Sequence, residues 1–191
     1  MARIVWHTAR LGLALVVLLG VALTLSPTTS QALAPLFADH YRFGVDVWGF
    51  PGTYNLSVLG VGWYTNWQFL ENPPRPNGIE YYQVVRLRAY DGNPDHAYYW
   101  PPDWASLARA VQNNPGAVWM VGNEPDHSGQ DNCTPTQFAE RYRLVYTFIK
   151  QRDATARLIP AGIVQATPLR LQWLSAVLTE YQRLYGEPLP A

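Results

Sequence analysis

A single cysteine, Cys133, stands among the 191 residues, so no intrachain disulfide exists. It lies in a polar loop with no His and Asn arrangement around it, and its thiol is read as incidental. Charge is also scarce. Asp, Glu, Lys and Arg make up 15% of the chain and the net charge is zero. That leaves neither a basic surface for nucleic acid nor an acidic tail. No glycine-rich loop able to cradle a phosphate is present, so no nucleotide cofactor is expected, nor any other cofactor. Asp126, His127, Asp131 and Cys133 crowd one stretch, but their spacing matches no metal-ligand pattern. A solvated polar loop is the better reading there. His96, beside Asp91 and Asp95, is a weaker metal candidate still. There is no internal repeat and no linker that would separate two domains.

Hydrophobic residues, by contrast, make up 48% of the chain, enough for one domain with a core. Aromatics are abundant, with 8 Trp and 12 Tyr. Their rings serve cores and also serve as stacking platforms for sugars, and composition does not separate the two uses. At the N-terminus Arg3 and Arg10 precede an apolar run from Leu11 to Leu25. Ser30-Gln31-Ala32 and Ala32-Leu33-Ala34 offer small residues where a signal peptidase reads, and the first is the better site because the second leaves Pro35 at the cut. The run is short of the roughly 20 residues that span a bilayer comfortably. Residues 1–34 are therefore expected to be a secretory signal peptide or an N-terminal anchor, with the domain from 35 to 191 outside the cytoplasm.

Periodicity organises the remainder. Strands are expected at Phe43–Val47, Ser57–Trp63, Tyr82–Arg88, Ala117–Val121 and Arg157–Val164. Asp103 can cap a helix reaching Asn113, with Leu107, Ala108 and Val111 on one face. Thr134, Pro135 and Gln137 have the form of a capping box, and Phe138, Tyr142, Val145, Phe148 and Ile149 continue at helical spacing. Thr167 is expected to cap a last helix with Pro168 at its start, and Gly186 closes it. Strands alternating with helices imply an α/β fold of parallel units.

The stretch Gly122-Asn123-Glu124-Pro125-Asp126 follows directly on the fourth strand. A carboxylate at the exit of such a strand is where barrel enzymes keep their acid/base groups; read alone, Glu124 is equally an ordinary loop glutamate. With the strands counted, Trp119-Met120-Val121-Gly122-Asn123-Glu124-Pro125 resembles the retaining glycoside hydrolases built on a (β/α)8 barrel. Val61-Gly62-Trp63-Tyr64-Thr65-Asn66-Trp67 is similar to the aromatic end of strand two in glycoside hydrolase family 128-like proteins. The resemblance implies that Glu124 is the general acid/base and that Asn123 hydrogen-bonds a sugar 2-hydroxyl. It also implies a nucleophile Glu on a seventh strand, which this sequence does not contain. The expected fold is thus a partial TIM barrel of about five of eight units.

Further substrate-binding candidates are Trp63, Tyr64, Trp67, Arg88 and Trp100, expected on the same C-terminal rim as Glu124; for the barrel reading, Glu124 and Trp63 have to share that end. For Trp63 core packing weighs as much as stacking, and the Tyr98-Tyr99-Trp100 loop cluster serves ligand contact or packing. Arg86 and Arg88 alternate with Val85 and Leu87 and so share a side; facing a barrel interior, one of them could steer a carboxylate, and for Arg86 a salt bridge or exposure to solvent is the preferred reading. Asp126 and Asp131 are remote candidates for an inverting partner. The function expected is that of an exported glycoside hydrolase acting on a β-linked glycan, inactive as it stands without its nucleophile strand. The alternatives are a carbohydrate-binding protein without catalysis and an inactive gene fragment. The expected partner is a carbohydrate substrate, with no nucleic acid and with membrane contact only through an uncleaved N-terminus.

Overall fold

The structure is a computed structural model that describes residues 39–49, 51–89, 92 and 99–191; the expected signal or anchor segment lies outside them, as do His96, Asp91 and Asp95. The strands are β1 (Gly44–Asp46), β2 (Trp63–Thr65), β3 (Glu80–Tyr81), β4 (Gln83–Val85), β5 (Val118–Val121) and β6 (Arg157–Pro160). The α-helices are α1 (Trp104–Asn113), α2 (Pro135–Lys150) and α3 (Pro168–Tyr185). The described residues belong to one unit, Phe37–Ala191. Among them, no helix is long and apolar enough to cross a membrane.

Every strand pairing is parallel. One sheet runs β1-β2-β3 and the other β4-β5-β6. Only Tyr82 separates β3 from β4, so a single extended run serves both sheets, its first half bonded to β2 and its second to β5. That is the α/β architecture with parallel strands expected from the alternating pattern. The early connections carry short 3-10 segments, Leu56–Val58 and Pro76–Gly78 among them.

Two helices carry the caps expected of them, whereas Thr167 stands at the start of α3 without a side-chain capping bond. The Asp103 carboxylate accepts the N–H of Ala105 at 3.0 Å. The Thr134 hydroxyl accepts the N–H of Gln137 while the Gln137 side chain accepts the N–H of Thr134, a complete capping box. Gly186, at φ +72, closes α3 in the left-handed region. Alternate residues of the strands meet the helices: Val85, Trp119, Val121 and Leu158 share one buried cluster with Leu107, Val111, Phe138, Tyr142, Val177 and Tyr181. A smaller cluster joins Val47, Leu56, Tyr64, Ile79 and Tyr81 beneath β1 to β3.

Several strand boundaries differ from expectation. The first strand is shorter by one residue at each end and the last stops at Pro160, well before Val164. The second strand begins at Trp63 and does not end there. Leu56–Val58 is a 3-10 turn whose Leu56 is buried in the smaller cluster, and Gly60 at φ +64 interrupts the extended backbone. The third strand starts earlier and stops at Val85, because Leu87 gives its N–H to the Asp131 carboxylate, not to a neighbouring strand.

Candidate active site

Glu124 sits on a loop tied down at several points. Gly122 leaves β5 at φ +93 and donates to the carbonyl of Val85 at 2.7 Å. A β-carbon at Gly122 would come within 3.0 Å of Ala161 and 3.1 Å of Phe138, so both the dihedral and the crowding require glycine. Glu124 itself adopts φ +42, in a region few non-glycine residues occupy. Its carbonyl accepts the N–H of His127 at 3.0 Å, and Pro125 accepts the N–H of Cys133 at 2.7 Å.

The centre of this loop is Asp131, whose side chain is fully buried. One carboxylate oxygen takes Arg86 Nε at 2.6 Å. The other takes the N–H of Leu87 at 2.8 Å and the N–H of Asn123 at 2.7 Å. A buried charge survives when it is paired and hydrogen-bonded in this way. Gln130 Oε1 accepts from Arg86 Nη2 at 3.1 Å and from Asn123 Nδ2 at 3.0 Å. The Arg86 guanidinium also lies 4.9 Å over the Tyr99 ring.

Above this network opens a cleft of about 520 Å³ lined by Trp48, Gly49, Asn66, Trp67, Gln68, Arg86, Tyr99, Asn123, Glu124 and Gln130. A second hollow of about 460 Å³ shares Trp67, Gln68, Arg86 and Tyr99 and adds Phe69, Val84, Pro101, Pro102 and Asp103, whose carboxylate is taken up in capping α1. The rings of Trp48 and Trp67 stand 5.9 Å apart at 60°. Asn66 holds the loop beneath them, donating to the carbonyl of Gly49 at 3.1 Å and accepting from the Tyr81 hydroxyl. Flat rings flanking polar amides and one carboxylate form a surface suited to a sugar, which offers apolar ring faces and hydroxyl edges.

Glu124, Asn123 and Trp67 therefore meet in one cleft, while four other expected site residues do not join them. Trp63 is in register with Gly44 and Glu80 and stacks on Tyr82 at 4.5 Å. Glu80 bonds Arg157, which also reaches the carbonyl of Gly116. These residues mark the end where strands enter, opposite to Glu124. The shared rim required of Trp63 fails, because β2 starts where it was expected to finish; Trp67, further along, occupies the rim instead. Tyr64 is fully buried and its hydroxyl donates to the carbonyl of Pro74; burial pushes that phenol up to about 12 against the lowering pull of Arg75. Arg88 is buried and donates to the carbonyls of Ser128 and Gln130, shaping the loop from behind. Trp100 packs edge-on to Trp104 at 6.0 Å and under Arg141.

Trp48, Asn66, Gln68 and Gln130 were absent from the expected set, Tyr99 stood there only within a loop cluster for ligand contact or packing, and Arg86 was preferred as a salt-bridged or solvent-facing residue. It makes that salt bridge and faces the cleft as well. The legible signal for Trp48 was its position just past the first strand, matching that of Trp67 past the second. Asp126 turns away from the cleft: Arg170 Nη1 reaches it at 2.5 Å and the N–H of Val164 at 3.3 Å. Among the described residues, no group of three or more His, Cys, Asp and Glu is placed to hold a metal ion.

Residues 52–184 match the family model of the glycosyl hydrolase catalytic core, and the chain belongs to that family. Its fold is similar to a GH128 (subgroup II) endo-β-1,3-glucanase from Pseudomonas viridiflava, at 19% identity and a TM-score of 0.57 over 76% of this chain and 57% of that one. It is similar as well to a GH128 (subgroup I) endo-β-1,3-glucanase from Amycolatopsis mediterranei, solved with laminaritriose, at 19% identity and a TM-score of 0.52 over 76% and 53% of the two chains. The chain thus spans a little over half the length of these structures. Curated protein sequences yield no match.

Proposed function

We propose that this chain carries the acid/base side of a retaining glycoside hydrolase acting on a β-glucan. The observation that supports it is the meeting of Glu124 with Asn123, Trp48 and Trp67 in one cleft, beyond the exit of β5. Trp63 does not meet the condition set for a barrel, because that condition took the second strand to end at Trp63, whereas β2 runs from Trp63 to Thr65 and Trp67 lies beyond its exit. With the boundary moved, the parallel run is read as the first five strands of a (β/α)8 barrel, with β3 and β4 together as the third and Glu124 following the fourth. The β-1,3-glucan specificity of the similar structures suggests the linkage.

Retention of configuration requires two carboxyl groups roughly 5–5.5 Å apart across the anomeric carbon. Glu124 is the one carboxylate among the described residues that line the main cleft. Asp131 is held by an arginine and two backbone N–H groups and Asp126 by an arginine and one, which disfavours either as a partner. Glu124 would protonate the leaving oxygen and later deprotonate water, while a second carboxyl from outside the described residues forms the glycosyl intermediate. Export, directed by residues 1–34, would bring the cleft to an extracellular polysaccharide. N-terminal sequencing of the exported protein should then begin near Leu33, whereas intact Met1 in a membrane fraction would indicate an anchor.

The test compares the 191-residue chain with a form extended past Ala191 on soluble β-1,3-glucan. The short chain is expected to bind without turnover. The extended form is expected to hydrolyse with retention, and Glu124→Gln to slow it by about 10²–10⁴-fold. Full activity of Glu124→Gln would overturn the assignment. A single cleft carboxylate also fits a second reading, a glycan-binding protein without catalysis, which inactivity of the extended form would favour.

A further inference from the structure

We infer that Arg86 and Gln130 form a polarity relay that fixes the side-chain amide of Asn123, leaving its Oδ1 as a hydrogen-bond acceptor for a ligand hydroxyl. This rests on the glycan-cleft reading and adds two positioning residues to it. A guanidinium donates and cannot accept. Arg86 Nη2 meets the Gln130 amide at 3.1 Å, so the Gln130 atom it meets has to be the carbonyl oxygen. That same Oε1 lies 3.0 Å from the Asn123 amide, and an oxygen already accepting can only receive another donor, Nδ2. Turning either amide over would set donor against donor or acceptor against acceptor. The three side chains therefore have one consistent orientation, dictated by the first.

Arg86 is held in place by two further contacts. Its Nε is bonded to buried Asp131 at 2.6 Å, and its plane lies over Tyr99. Asp131 also takes the backbone N–H of Asn123, so main chain and side chain of Asn123 are fixed from one ion pair. Arg86, Asn123 and Gln130 all line the cleft. With these bonds made, Asn123 Oδ1 and Gln130 Nε2 have no hydrogen-bond partner among the described residues. The relay leaves the cleft one acceptor and one donor of set polarity, which suits the hydroxyls of a sugar, each able to donate and to accept.

Two variants of the 191-residue protein test this. Gln130→Glu keeps an acceptor for both Arg86 and Asn123, and Gln130→Met removes it. In ¹⁵N-correlated NMR spectra without ligand, the Asn123 side-chain amide protons should be dispersed in the wild type and in Gln130→Glu, and should collapse toward free-amide positions in Gln130→Met. Laminarihexaose affinity should fall about fivefold in Gln130→Met, as expected for one neutral hydrogen bond that loses its orientation, with the melting temperature unchanged. Unaltered Asn123 amide resonances in Gln130→Met would overturn the relay. So would an affinity loss equal in both variants that tracks a fall in melting temperature, the mark of a structural role. A wild-type protein that binds no laminarihexaose counts against the glycan reading alone, and the amide resonances then decide the relay by themselves.

Discussion

Asn123 and Asp131 close the Glu124 loop on itself. The N–H of Asn123 reaches the Asp131 carboxylate at 2.7 Å, and the N–H of Asp131 returns to the carbonyl of Asn123 at 3.3 Å. The acid that was weighed from sequence as an inverting partner is instead the clasp of the loop that carries Glu124.

Replacing that clasp should be costly. Asp131→Asn leaves Arg86 without its counter-charge and gives up one oxygen acceptor. Loss of one member of a buried pair is expected to destabilise by about 3 kcal/mol. Urea unfolding followed by tryptophan fluorescence measures it, and a change below about 1 kcal/mol would show the pair to behave as a surface one.

Trp63 and Trp67 should separate cleanly. Trp63→Ala removes the stack on Tyr82 at the strand-entry end and should lower stability by about 2 kcal/mol with glucan binding intact. Trp67→Ala removes a cleft wall and should weaken binding with little change in stability. Laminarin titration of both variants checks the assignment; the reverse pattern would restore Trp63 to the site.

Glu124 lies at φ +42, a conformation costing a non-glycine residue roughly 1 kcal/mol or more. Glu124→Gly should therefore be at least as stable as the wild type in thermal melts, while being unable to donate a proton. A clear loss of stability would mean that the Glu124 side chain contributes packing the backbone strain does not outweigh.

Burial pushes the Cys133 thiol up to about 11 from an ordinary value of 9.0, against the lowering influence of Arg141. At pH 8 the folded protein should thus react with a disulfide reagent far more slowly than the urea-unfolded chain. Between about pH 9 and 11 the unfolded chain releases this proton and the folded one keeps it, so stability should fall as pH rises through that window. Equal labelling rates in folded and unfolded protein would contradict the burial.

The helices were legible because their signals are local. Asp103, the Thr134 and Gln137 pair, and Gly186 each act within one turn of chain, and each appears in the role its residue type implies. The order of the strands was legible because apolar runs between helices are distinctive, although the expected third strand is in fact two, β3 and β4, that pair into different sheets. The site was less so. Trp63 opens β2 and Trp67 lies just past its end, and their opposite fates depend on whether Gly60 bends the chain before the strand. Arg86 and Arg88 were placed together by strand alternation, yet the strand stops at Val85, and Arg86 turns to the cleft while Arg88 turns to the loop carbonyls. Gln130 gave no sign at all, since its importance lies in which atoms of Arg86 and Asn123 approach it.

Gly122 couples the outside of the molecule to the cleft. Its backbone sits where no β-carbon fits, against Phe138 of α2 and Ala161 beyond β6. The helix layer thereby sets the height at which the next residue, Asn123, emerges. Repacking Phe138 with a bulkier ring would press on the stem of the Asn-Glu pair from behind, without touching any residue that meets a ligand. Saturation mutagenesis scored on glucan binding should accordingly show a second band of intolerance under α2, and a variant library at position 122 should return glycine alone.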